Sequence, residues 1–188
     1  MPQSPRNPAV HTPPPKRSYH RELSNVSGID VPSQVDDARY LFSMPFIGMI
    51  DAVADILFPP NTVKSAKGVN HVIAASDAMV HRYILFRATW QPDWGKDVHT
   101  ALRLFSNVCD KHFGSSFPLL PEAKQIESLS MLEDRKFSNT DWSSVVDQRR
   151  AFNQIREAIA EGLFAEPGYG GNLDGLGWYY SNFMVIED

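Results

Sequence analysis

The side chains that could do chemistry are few and badly spaced for it. His11, His20, His71, His81, His99 and His112 are the only imidazoles, and none lies at a metal-ligand interval. His71 and His81 are ten residues apart, which does not stack them on one helix face, and no His-Glu-x-x-His run exists. A zinc or di-iron centre is therefore not expected. Asp51 and Asp55, and again Glu157 and Glu161, stand at i,i+4. Carboxylates so placed share a helix face and could form an acid–base or metal pair, but a solvated face is the better reading. Cys109, the one cysteine, falls in an apolar stripe and reads as a small core hydrophobe. It excludes an internal disulfide and a multi-thiolate zinc site. No Gly-x-Ser-x-Gly elbow surrounds Ser115-Ser116 or any other serine, and no dinucleotide fingerprint is present. The expectation is a chain with no catalytic residues that binds no metal, FAD or NAD by itself.

The unusual chemistry lies in residues 164–183. Phe164, Tyr169, Trp178, Tyr179, Tyr180 and Phe183 make 6 of these 20 residues aromatic, against 11% for the whole chain. Gly168, Gly170, Gly171, Gly175 and Gly177 share the window. So many glycines argue against a helix, and so many rings argue against plain disorder. Glu166-Pro167-Gly168-Tyr169 fits a type II turn, with proline second and glycine third. Gly170-Gly171-Asn172 can enter left-handed backbone, and Asp174-Gly175 is a further turn signal. A chain of turns with rings projecting from it suits either a partner surface or the protein's own helices. Gly-Tyr-Gly-Gly-Asn is not a phosphate loop, because no P-loop lysine follows and no strand precedes it.

Helices must carry this segment. Phe46, Ile47, Ile50, Val53, Ala54 and Leu57 recur at helical steps until Pro59-Pro60. A second set runs Val69, Val72, Ile73, Met79, Val80, Tyr83, Ile84 to about Trp90. A third runs Val98, Ala101, Leu102, Phe105, Val108, Cys109, Phe113, with Gly114 as its C′ residue. Pro121 and Glu122 open a shorter fourth, to Leu132. The fifth, capped at Asn139, Thr140 or Asp141, shows Trp142, Val145, Val146, Phe152, Ile155, Ile159 and Leu163, and Gly162 weakens its last turn. No alternating stretch long enough for a strand stands out. The fold expected is all-α: residues 39–164 as one domain of about five helices. Residues 1–38, with Pro2, Pro5, Pro8, Pro13, Pro14 and Pro15, form a disordered arm, and 165–188 an extended, irregular docking tail.

Charge narrows the partners. Eighteen basic against 22 acidic residues leave −4, without the basic excess a nucleic-acid binder needs, so an adaptor role for Lys16, Arg17 and Arg21 is the weakest reading. No apolar run spans a bilayer, and the polar stretch after Arg21 lacks the apolar core of an export signal. The expected location is the cytoplasm, or the periplasm only by export with a partner.

The run Ile159-Ala160-Glu161-Gly162-Leu163-Phe164-Ala165-Glu166-Pro167-Gly168-Tyr169-Gly170-Gly171-Asn172, then Gly177-Trp178, resembles the hallmark of a known family. It is the small, or gamma, subunit family of membrane-associated FAD-dependent sugar and polyol dehydrogenases, named after gluconate 2-dehydrogenase subunit 3. Glu166 stands where that hallmark has aspartate, and Ile56-Leu57-Phe58-Pro59-Pro60 is consistent upstream. The resemblance implies a non-catalytic partner of a large flavoprotein of the glucose–methanol–choline type, which holds FAD and oxidises a sugar, glycoside or related alcohol. In some complexes an iron–sulfur cluster and a cytochrome c follow. The small subunit matures the large one and often supplies its twin-arginine signal, a role not expected of this chain. The docking residues implied are Phe164, Pro167, Tyr169, Gly170, Gly171, Asn172, Gly177, Trp178, Tyr179 and Tyr180. The alternative is a free-standing helical enzyme or small-ligand binder whose tail closes its own pocket.

Overall fold

A computed structural model describes residues 44–139, 142 and 146–187. The expectations for the proline-rich arm, and for Thr140, Asp141 and Val145, lie outside the described residues. Among those described, six α-helices and one small hairpin form a mostly helical body. Helix α1 (Met44–Leu57) buries Met49, Ile50, Val53 and Ala54 on one face, as its spacing predicts. It ends where Pro59 and Pro60 offer no backbone donor.

Next comes a hairpin that the sequence reading missed. Strands β1 (Asn61–Lys64) and β2 (Asn70–Ile73) pair antiparallel, with Asn61 opposite Ile73 and Lys64 opposite Asn70. Val69, Val72 and Ile73 therefore do not begin the second helix. Val69 and Val72 face outward, 52% and 67% exposed. A 3₁₀ turn (Ser76–Ala78) follows, and left-handed Met79 (φ 56°) leads into α2 (Val80–Trp90). The Asp51–Asp55 face is not the solvated surface expected. Asp55 accepts from both the backbone and the hydroxyl of Ser76, each at 2.8 Å, and Asp51 meets His81 Nδ1 at 2.9 Å. These carboxylates tie α1 to the start of α2.

Helix α3 (Pro92–Phe113) starts with proline in its first turn, ahead of the apolar set that marked it in the sequence, and stops at left-handed Gly114 (φ 73°), as expected. It lies close against α2: a Cβ at Gly95 would sit 2.6 Å from that of Ala88. A 3₁₀ turn (Phe117–Leu119) and α4 (Glu122–Glu133) close that side. Helix α5 (Gln148–Phe164) begins later than predicted. Asp147 is its cap, accepting from the Arg150 amide at 3.1 Å. Trp142 and Val146 precede the helix but still pack on the core, so their apolar character extended the stripe without extending the helix. Buried Gln148 both donates to and accepts from the backbone of Phe137, satisfying a bend that water cannot reach.

The centre is formed by Ile50, Leu102, Phe105, Phe117, Leu132, Ile155, Ile159 and Leu163, each under 2% exposed. Burial of such side chains stabilises by about 1.5–3 kcal/mol each. Cys109 is fully buried among them, and its thiol is pushed up to about 12, chiefly by burial. No helix among the described residues is long and apolar enough to cross a membrane.

Candidate docking surface

The end of α5 and the turns after it are built around a few close backbone approaches. Gly162 does more than weaken a helical turn: a Cβ there would lie 2.9 Å from a Val80 methyl and 3.0 Å from the Val80 carbonyl oxygen. Its absence lets α5 press against α2. Gly171 then folds back over the same spot, where a Cβ would meet the Gly162 carbonyl oxygen at 2.4 Å and Tyr83 at 2.8 Å.

Between them the chain makes a 3₁₀ turn (Pro167–Tyr169) that ends at Gly170 with φ 95°. The type II turn expected at Glu166–Tyr169 is not formed, because the positive φ falls on Gly170 rather than on Gly168. Asn172 is left-handed (φ 47°) and fully buried. Its side-chain nitrogen donates to the Ala165 carbonyl and its oxygen accepts from the Gly177 amide, both at 2.7 Å. One amide thus joins the free end of α5 to the free first turn of the next helix.

Left-handed Asp174 and Gly175 (φ 52° and 76°) lead into that helix, α6 (Leu176–Tyr180). A helix was not expected amid so many glycines. Gly177 stands within it because of contact rather than to break it: a Cβ there would fall 1.7 Å from the Leu163 carbonyl oxygen. Trp178 reaches back, its indole nitrogen donating to the Phe164 carbonyl at 3.2 Å. The Tyr180 hydroxyl donates to the Pro59 carbonyl at 2.8 Å, and Asn61 donates to the Tyr180 carbonyl at 2.8 Å. Burial raises the Tyr180 phenol above its ordinary value. Farther on, the Ala66 amide donates to the Ile186 carbonyl at 2.8 Å, so the chain at Ile186 lies beside the hairpin.

The named residues therefore separate into two groups. Gly171, Asn172 and Gly177 are buried inside the chain, with Gly170 against Arg82 and Tyr180 against the core. Phe164 and Tyr169 are 38% and 50% exposed, while Pro167, Trp178 and Tyr179 are half-buried. Phe164 stacks edge-on with Phe58 at 5.8 Å. Phe183, 78% exposed, meets Trp178 at 6.4 Å.

Tyr169 reaches a place the sequence reading did not find. Its ring lies 5.9 Å from Phe86, which lies 6.3 Å from Trp90. With Tyr83, Arg87, Gln91 and Glu161 these rings line an open groove of about 510 Å³ between α2, the end of α5 and the turn at Tyr169. Glu161 is not simply solvated: it accepts from the Tyr83 hydroxyl at 3.1 Å and pairs with Arg87, whose guanidinium also stacks on Trp94 at 4.2 Å. Glu157 is exposed, as a solvated face predicts. The available signal was Phe86 and Trp90 at i,i+4, off the Val80–Ile84–Ala88 stripe that α2 buries. Among the described residues no three His, Cys, Asp or Glu side chains gather where a metal could sit.

No curated protein and no solved structure matches the chain. The family model for gluconate 2-dehydrogenase subunit 3 matches residues 47–183. That span runs from α1 through the other described helices, the locked turns and the aromatic surface to Phe183. The chain belongs to the gluconate 2-dehydrogenase subunit 3 family, the family of a subunit of a dehydrogenase complex.

Proposed function

We propose that this chain is the non-catalytic small subunit of a dehydrogenase complex, and that it binds and matures a large FAD-dependent partner of the glucose–methanol–choline type. That partner would oxidise a sugar, glycoside or related alcohol and would hold the FAD, with electrons passing onward through it to a cytochrome c or other acceptor. The observation that carries the reading is the placement of Phe164, Tyr169 and Trp178. These rings are partly exposed, yet they stand on backbone fixed by Asn172, Gly171 and Gly177.

Large aromatic side chains held rigid before binding lose little conformational freedom on association, and such residues dominate interface energetics. Buried Gly171, Asn172 and Gly177, with half-buried Gly170 and Tyr180, contribute by setting the path, and Phe164, Pro167, Tyr169, Trp178 and Tyr179 by contact. The mechanism is linkage: a chain that binds only the folded, FAD-competent partner stabilises that state by mass action.

The test is to express the flavoprotein partner with and without this chain and to measure soluble, flavin-bound protein. The expected result is at least a tenfold (~1.4 kcal/mol) loss of FAD-loaded partner when the chain is omitted. Equal yield and equal flavin content in both preparations would overturn it.

A further inference from the structure

The groove at α2 combines two kinds of surface. Its wall is a trough of three rings: Phe86 at the centre, with Trp90 and Tyr169 tilted 50° and 44° to it on either side. Trp90 is 71% exposed and Tyr169 50%. Its rim is a set of planar polar groups already oriented by one another. Arg87 is held by Glu161 and by the Gln91 side-chain oxygen at 3.1 Å, and the Tyr83 hydroxyl is held by Glu161. Among the described residues, nothing bonds the second Glu161 oxygen, the Gln91 amide nitrogen or the Trp90 indole nitrogen. One acceptor and two donors on groove-lining residues are therefore open to a ligand.

We infer that this groove binds a neutral pyranose sugar. A pyranose ring has an apolar C–H face edged by hydroxyls that both donate and accept. That pattern is the complement of an aromatic trough with a mixed donor–acceptor rim. The volume of about 510 Å³ lies within the ordinary range for small-ligand sites. Other ligand classes fit less well. A quaternary ammonium ion favours an aromatic cage with net negative charge, and Glu161 is already neutralised by Arg87. An inorganic anion needs a free cation, and the Arg87 guanidinium is engaged by Glu161 and the Trp94 face. A flat aromatic ligand needs parallel walls, whereas these rings stand 44–50° apart. The inference shares Tyr169 with the proposed docking surface, but it is argued from the groove and tested on the free chain, so its failure is distinct from failure of the docking role.

The test titrates the full chain with glucose and with maltotriose while following the Trp90 indole N–H by NMR, assigned by its loss in Trp90→Phe. The expected result is a saturable shift of that signal and of the Gln91 side chain, with a millimolar midpoint. Trp90→Ala should weaken binding at least about tenfold, and Gln91→Ala several-fold, with thermal unfolding unchanged because both side chains are exposed. Binding by glucose as tight as by maltotriose supports a single-ring site. Binding by maltotriose only supports an oligosaccharide site. No saturable shift with either sugar, an identical shift in Trp90→Ala, or saturation by tetramethylammonium or a polyproline peptide in place of the sugars would overturn the inference.

Discussion

The Gly177 amide donates to the Asn172 side-chain oxygen at 2.7 Å, and the same side chain donates to the Ala165 carbonyl at 2.7 Å. A single buried amide thus closes the loop that carries Tyr169 and Trp178. The glycines around it make that closure sterically possible, since a Cβ at 177 or 171 would lie within 2.4 Å of a carbonyl oxygen.

Asn172→Ala leaves the buried Gly177 amide and the part-buried Ala165 carbonyl without their partner and keeps an L side chain at φ 47°. The expected loss is about 2–4 kcal/mol, read as a lower urea midpoint. An unchanged midpoint would mean the amide does not hold the loop.

Gly177→Ala and Gly168→Ala form a matched pair. The first puts a methyl 1.7 Å from the Leu163 carbonyl oxygen, and the second meets nothing within 4 Å. Gly177→Ala should destabilise by at least about 2 kcal/mol, and Gly168→Ala should stay within ~0.5 kcal/mol of the parent. Comparable effects at both positions would contradict the close approach of α5 and α6.

Much of this was legible in the residues. Helices α1, α3 and α4 show clear periodicity and clean stops at Pro59, Gly114 and, at the start of α4, Pro121. The hairpin was hidden because its strands have four residues each, too few to display alternation, and its valines also fit a helical step. The start of α5 was misplaced because Trp142 is buried and Val146 partly buried against the core without being helical. In the tail, glycine content foretold irregular backbone at Gly170 and Gly175, but Gly177 serves contact within a helix, which only the position of Leu163 reveals. The Phe86–Trp90–Tyr169 groove joins residues far apart in the chain, so spacing alone could not assemble it.

Stability should fall as pH rises above about 9. Burial raises the Cys109 thiol from 9.0 to about 12, so the unfolded chain loses its proton first and the folded chain keeps it. The stabilisation is complete below the unfolded value and is lost as pH climbs toward the folded one. Tyr180, also raised by burial, acts in the same direction. Urea melts at pH 8 and pH 10.5 should show this decline, and Cys109→Ala with Tyr180→Phe should flatten it. A slope unchanged in the double variant would place its origin elsewhere.

Trp178→Ala removes the half-buried ring that bridges Phe164 and Phe183. It should cost at least ~2 kcal/mol of association with the large subunit, measured by calorimetry or biolayer interferometry. Unchanged affinity would remove Trp178 from the interface.

The most direct measurement of the docking role is a pull-down of the tagged full chain from its native host, reading both the co-purified proteins and the visible flavin spectrum. The account predicts a stoichiometric large protein carrying FAD. A colourless, soluble monomer recovered without any partner would contradict it.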